Sequence, residues 1–288
     1  MTFSCFLRLA RIAAVAVLCA PGLAGLAAAA PVDGVHLAPH RAVYDLKLLR
    51  ANGPRGIDSV RGRIVYDFSG NACDGYDLNF RQVSELDSGE GKAILTDLSS
   101  STWEAADARS FRFSSQNRTN DKAEKVNGEA DRGGKQVAIK LTKPKRTALI
   151  MPPSVVFPTE QMRRIIASAR AGQNFLQMPV YDGSETGEKL YNTFTLIGQA
   201  IPPGARPPHD ATAKVPALAR LTRWPVTISY FEQRSDSELH NGEQTPVYTL
   251  GFELYENGIS RALVLDYSDF AISGEMTSLE MKKETACK

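Results

Sequence analysis

The sequence is poor in the residues that carry most protein chemistry. Among 288 residues there are 4 cysteines, 4 histidines and 2 tryptophans. None of His36, His40, His209 and His240 stands at a metal-ligand spacing such as H-E-x-x-H, and none has a cysteine close by. They read as solvated or capping side chains, and no metal is expected. No G-x-S-x-G elbow, P-loop or dinucleotide fingerprint occurs, so neither a hydrolase site nor a nucleotide cofactor is expected. Asp182-Gly183-Ser184 imitates the start of a calcium loop, but the twelfth position is Thr193 where a bidentate Glu is required, which leaves an acidic turn. Charge of one sign is missing too. The formal net charge is +2, and no basic patch interleaved with aromatics is present, which excludes nucleic acid as a partner.

What is present begins with an export leader. Arg8 and Arg11 precede the apolar run Ile12–Ala20, then Pro21, Gly22 and the small-residue tract Ala27–Ala30. That order is a secretory signal, expected to be cleaved near residue 29. The run is too short and too interrupted for a transmembrane anchor. Removing residues 1–29 removes both arginines and with them the net charge. It also removes Cys5 and Cys19, leaving Cys73 and Cys287 in an oxidising compartment. A structural pair is favoured there. A catalytic thiol pair is the competing reading, weakened by the distance between the two in sequence and by the lack of an adjacent histidine.

The mature chain alternates apolar and polar residues at the period of two that marks half-buried strands. Ala42, Tyr44, Leu46 and Leu48 form one such set; Ile64, Tyr66 and Phe68 another; Tyr76, Leu78 and Phe80 a third. Turn clusters such as Ser69-Gly70-Asn71 separate them, as in antiparallel meanders. The same rhythm gives about eight strands before residue 157 and five or six after residue 186, without parallel βαβ units. Ile201–Pro208 is proline-rich and reads as a connection. The segment 157–185 holds the one helix expected outside the leader, about 159–171. Thr159 is placed to cap it and Glu160 favours its positive end. Met162, Ile165, Ile166 and Ala169 line one apolar face, and Gly172 can supply a left-handed stop.

HRAVYDLKL near the mature N-terminus, FPTEQMRRIIASARAG followed by VYDGSETGE, and the Cys73 and Cys287 pair resemble the EipB-type cell-envelope integrity proteins of alphaproteobacteria. The resemblance spans the mature chain. It implies a mainly β fold, an antiparallel β-spiral or broken barrel of about 13–14 strands with one internal helix. It also implies a Cys73–Cys287 disulfide. On that basis residues 30–288 form one domain in two halves, about 36–156 and 186–288, joined by the helix segment 157–185. The resemblance implies a non-catalytic periplasmic protein that supports envelope integrity by binding a protein partner or an envelope component. The alternative expectation is a carrier or sensor of a lipid or other amphipathic ligand, held in a groove beside the helix. Met162, Ile165, Ile166, Phe175, Leu176 and Met178 would line that groove, or else simply fill the core.

Overall fold

The computed structural model describes residues 34–52, 56–89, 93–233 and 244–287. The leader 1–29, Cys5, Cys19 and His240 lie outside the described residues. Fourteen strands form one antiparallel sheet. Eight precede the helix: β1 (His40–Ala51), β2 (Ser59–Asn71), β3 (Gly75–Asp87), β4 (Ala93–Ala105), β5 (Ser110–Thr119), β6 (Lys122–Arg132), β7 (Val137–Lys143) and β8 (Thr147–Met151). After the helix α1 (Pro158–Arg170) come β9 (Phe175–Val180), β10 (Tyr191–Ile197), β11 (Arg223–Glu232), β12 (Tyr248–Tyr255), β13 (Ser260–Asp266) and β14 (Phe270–Met281).

Each set is a meander, and the two are sewn together at the chain ends. β1 pairs with β2 on one side and with β14 on the other, from His40↔Met281 to Ala51↔Phe270. The sheet order therefore runs from β8 through β1 and β14 to β9. The sheet is curled by the twist natural to strands. Among the described residues a single parallel bridge, Val156↔Val180, joins β9 to the segment that follows β8, with Val156 N donating to Pro179 O at 2.8 Å and Tyr181 N to Val156 O at 3.0 Å. This is a barrel left unclosed.

The alternation read in β1 sets the inside: His40, Ala42, Tyr44 and Leu46 are all buried. The helix lies within the curl. Ile165, Ile166, Ala167 and Ala169 pack in one cluster with Leu176, Met178 and Val180 of β9, Val226 and Ile228 of β11, and Phe252 and Leu254 of β12. The enclosure is more complete than an amphipathic pattern predicts, because Gln161 and Ser168 are buried as well. The helix starts one residue earlier than expected. Thr159 is not its cap: Phe157 takes that position without a side-chain cap, and Pro158 opens the first turn. At the other end Gly172 adopts φ +73°; its N–H donates to Ala169 O at 3.1 Å and that of Gln173 to Ser168 O at 2.9 Å, a Schellman stop. The joining segment 157–185 is also more than a helix and a linker, since it contains β9, whose Phe175–Val180 run pairs along β10.

Candidate functional site

The N-terminal turns of α1 border a cavity of about 380 Å³ between the first strands and the last. Its size lies in the range of sites for small ligands. One wall is an aromatic stack: His40 lies on Tyr66 with ring centroids 5.4 Å apart, and Tyr66 on Phe68 at 6.1 Å. These rings line up because β1 and β2 pair as Ala42↔Tyr66 and His40↔Phe68, which sets inward residues side by side. The facing wall is a second stack, Tyr230 on Tyr248 at 4.4 Å and Tyr248 near Tyr267 at 6.4 Å, from β11, β12 and the residue just after β13. Leu78, Leu250, Leu263 and Leu265 supply aliphatic surface, and Thr159, Gln161 and Met162 of the helix close one side.

No Asp, Glu, Lys or Arg is among the described residues that line it. Burial holds the His40 imidazole below its ordinary pKa, and its Nδ1 lies 2.7 Å from Ala38 O. It is a neutral ring at neutral pH. Burial likewise pushes up the hydroxyls of Tyr66, Tyr230, Tyr248 and Tyr267, which stay protonated and able to donate. The cavity is thus an apolar, uncharged chamber with a few hydroxyl and amide groups in its walls. Among the described residues no group of three or more His, Cys, Asp and Glu could hold a metal ion.

The sequence-derived groove residues separate into three groups. Met162 lines the cavity. Ile165, Ile166, Leu176 and Met178 are buried in the packed cluster around the helix and are not among the residues that line the cavity. Phe175 belongs to neither: it is 53% exposed and stacks on Phe194. In a strand, successive side chains point to opposite faces, so the phase that turns Leu176 and Met178 inward turns Phe175 out. His40 is a second correction, buried in the wall rather than solvated or capping. His36 and His209 are exposed.

Several supporting residues were not singled out from sequence. The Glu104 carboxylate, 2% exposed on β4, accepts the N–H groups of Thr159 and Glu160 at 2.7 Å each. It caps the helix from a distant strand. Burial raises its pKa to about 7, opposed by those two hydrogen bonds and reinforced by the nearby Glu160 carboxylate. Glu160 is itself gripped by Arg132 at 2.7 Å and Arg164 at 2.6 Å. At the chain end Cys73 and Cys287 are bonded with Cα atoms 5.7 Å apart. Asn71 reinforces the join: its Nδ2 donates to Thr285 Oγ1 at 2.9 Å while its Oδ1 accepts from Cys73 N at 2.8 Å. In the acidic turn, Ser184 N donates to the Asp182 carboxylate at 2.9 Å.

Residues 31–283 match a family model described as EipB-like. The chain is 38% identical over 292 residues to the cell envelope integrity protein EipB of Brucella abortus (strain 2308), covering 98% of this chain and 99% of that protein. It is also similar to the crystal structure of a beta-barrel-like protein of a domain of unknown function from Brucella abortus. That similarity has a TM-score of 0.77 and 36% identity, and it covers 86% of this chain and all of the other.

Proposed function

The chain belongs to the EipB-like family, and from that premise we propose that it supports envelope integrity from the periplasm, without catalysis, by holding the apolar part of an amphipathic envelope molecule. The observation that carries this reading is the chamber between the two aromatic stacks. An apolar cavity with no charged wall rewards transfer of hydrocarbon from water at roughly 25 cal/mol per Å², and penalises entry of an unpaired charge by far more. The ligand's tail enters and its charged head stays outside. The leader read in the sequence supplies the compartment, and no helix among the described residues is long and apolar enough to cross a membrane. The two halves of the domain both contribute walls, so a bound tail ties them together.

Docking of a protein partner is the second reading, favoured by one observation. Phe175 and Leu196, paired across β9 and β10, are 53% and 50% exposed on the outer surface beside Phe194. Exposed large apolar side chains grouped in this way mark interaction surfaces more often than chance placement does.

Native mass spectrometry of protein released gently from cells tests the first reading. A lipid-sized adduct is expected, and Leu78→Trp, which grows into the chamber, should weaken re-uptake of that lipid by about tenfold or more. The same variant should fail to restore detergent resistance to cells lacking the protein. Protein that emerges empty and ignores added lipids removes the ligand-holding role.

A further inference from the structure

The outer face of the first strands carries a second concavity, of about 630 Å³, on the reverse side of the sheet from the chamber. Strand alternation sets the two on opposite faces, with Thr102 alone lining both: Leu78 and Phe80 point in while Asp77 and Asn79 point out. The pairing register arranges its side chains in two rows across the strands. Asp77↔Trp103↔Arg112↔Glu129↔Lys140 is one. Asn79↔Ser101↔Ser114↔Asn127 is the other. In the second row the short serines make a floor between two longer amides, which is why the surface dips there. Ser101 Oγ donates to Asn79 Oδ1 at 2.7 Å and Ser114 Oγ to Asn127 Oδ1 at 3.1 Å. Both amides are thereby oriented with their NH2 groups free to donate to a ligand.

We propose that this trough binds an N-acetylated glycan strand lying across the sheet. Charge and polarity select that class. The two carboxylates and two cations of the first row cancel, and Glu129 and Lys140 pair with each other at 3.4 Å, so neither a polyanion nor a polycation is favoured. Apart from Trp103 and the buried Phe113, no large apolar side chain lines the trough, which disfavours a lipid tail. An uncharged polymer rich in hydroxyls and amides fits. The rows repeat at the inter-strand spacing of about 4.8 Å, close to the length of one sugar ring, so each strand can address one sugar. Asn79 and Asn127 donate to N-acetyl carbonyls, and the serine oxygens accept from sugar hydroxyls. Trp103 offers an indole to the C–H face of a ring; the Arg112 guanidinium that now covers it at 4.1 Å is on a long exposed side chain able to swing aside.

Calorimetry with the full mature protein tests this, with the tetramer of β-1,4-linked N-acetylglucosamine and the matching glucose tetramer as probes, alongside co-sedimentation with purified cell-wall sacculi. The N-acetylated tetramer and the sacculi should bind and the glucose tetramer should bind at least about tenfold more weakly. Ser114→Arg, at an exposed position that fills the floor, should remove binding while melting temperature and lipid uptake by the chamber stay unchanged. Asn79→Ala with Asn127→Ala should weaken the N-acetylated tetramer selectively. Absence of binding to the tetramer and sacculi, equal binding of the two tetramers, or undiminished binding by Ser114→Arg each overturns the proposal, and lipid uptake measured on the same samples reports separately on the chamber.

Discussion

At the scale of single residues, Glu104 has the largest consequence for its size. Its carboxylate stands in for a local cap by satisfying two of the N–H groups that begin α1. Glu104→Ala leaves both donors buried and unpaired, at a cost of roughly 1–3 kcal/mol for each, and a loss of about 2–6 kcal/mol is expected in urea unfolding. Glu104→Gln retains an acceptor but cannot titrate. Because the folded-state pKa, about 7, lies above the ordinary 4.5, the folded protein binds this proton more tightly than the unfolded chain. The group's contribution is therefore fully present below about pH 4.5 and is lost as pH rises through 7, on the order of 3 kcal/mol in all. Wild type should lose stability between pH 5 and 8 more steeply than Glu104→Gln; identical slopes would show that Glu104 is ionised throughout. Sequence reading could not find this residue, since it lies 55 positions from Thr159 and only the curl of the sheet unites them. His40 was within reach. It occupies the same phase as Ala42, Tyr44 and Leu46, and extending that alternation by one step places it inside.

At the scale of elements, the helix and most strands were legible because periods of two and 3.6 are written directly in the apolar residues. What the period could not say is how many sides of the helix would be covered. Gln161 and Ser168 look solvent-facing in a heptad count, yet both are buried because sheet surrounds α1. β9 was missed for a different reason: it is short and contains Pro179, tolerable there because β9 is an edge strand whose one continuous partner is β10. The stop of the helix was readable from Gly172, and it makes a clean prediction. A Cβ there would meet nothing within 4 Å, so Gly172→Ala should cost only the left-handed backbone penalty of about 1–2 kcal/mol. Gly172→Asn should cost less, because Asn tolerates that conformation. A larger loss for either in chemical denaturation would mean that the helix end bears on more than its own last turn.

At the scale of the whole molecule, the strand number and antiparallel class followed from alternation and turn chemistry, whereas the order of strands required the fold itself. Nothing in a meander says that its first strand will pair with its last. The disulfide spans that seam, from the turn between β2 and β3 to the tail beyond β14, closing a sequence separation of 214 residues. Cys73→Ser and Cys287→Ser should each lower stability by a similar amount, on the order of 2–5 kcal/mol, and the double variant should be no worse than either alone. Widely different melting temperatures for the two single variants would contradict a bond shared between them. The seam has a further consequence for biogenesis. In a chain made from its N-terminus onward, β1 is the first strand to appear and its partner β14 the last. β2–β8 can zip up in turn behind it, but one rim of β1 must wait, open to chaperones or to mispairing. Cys73 waits equally long for Cys287. On the export route proposed above, oxidation of this pair would thus mark a completed chain, and one truncated before its final residues would stay a reduced, open-rimmed ribbon suited to proteolytic clearance.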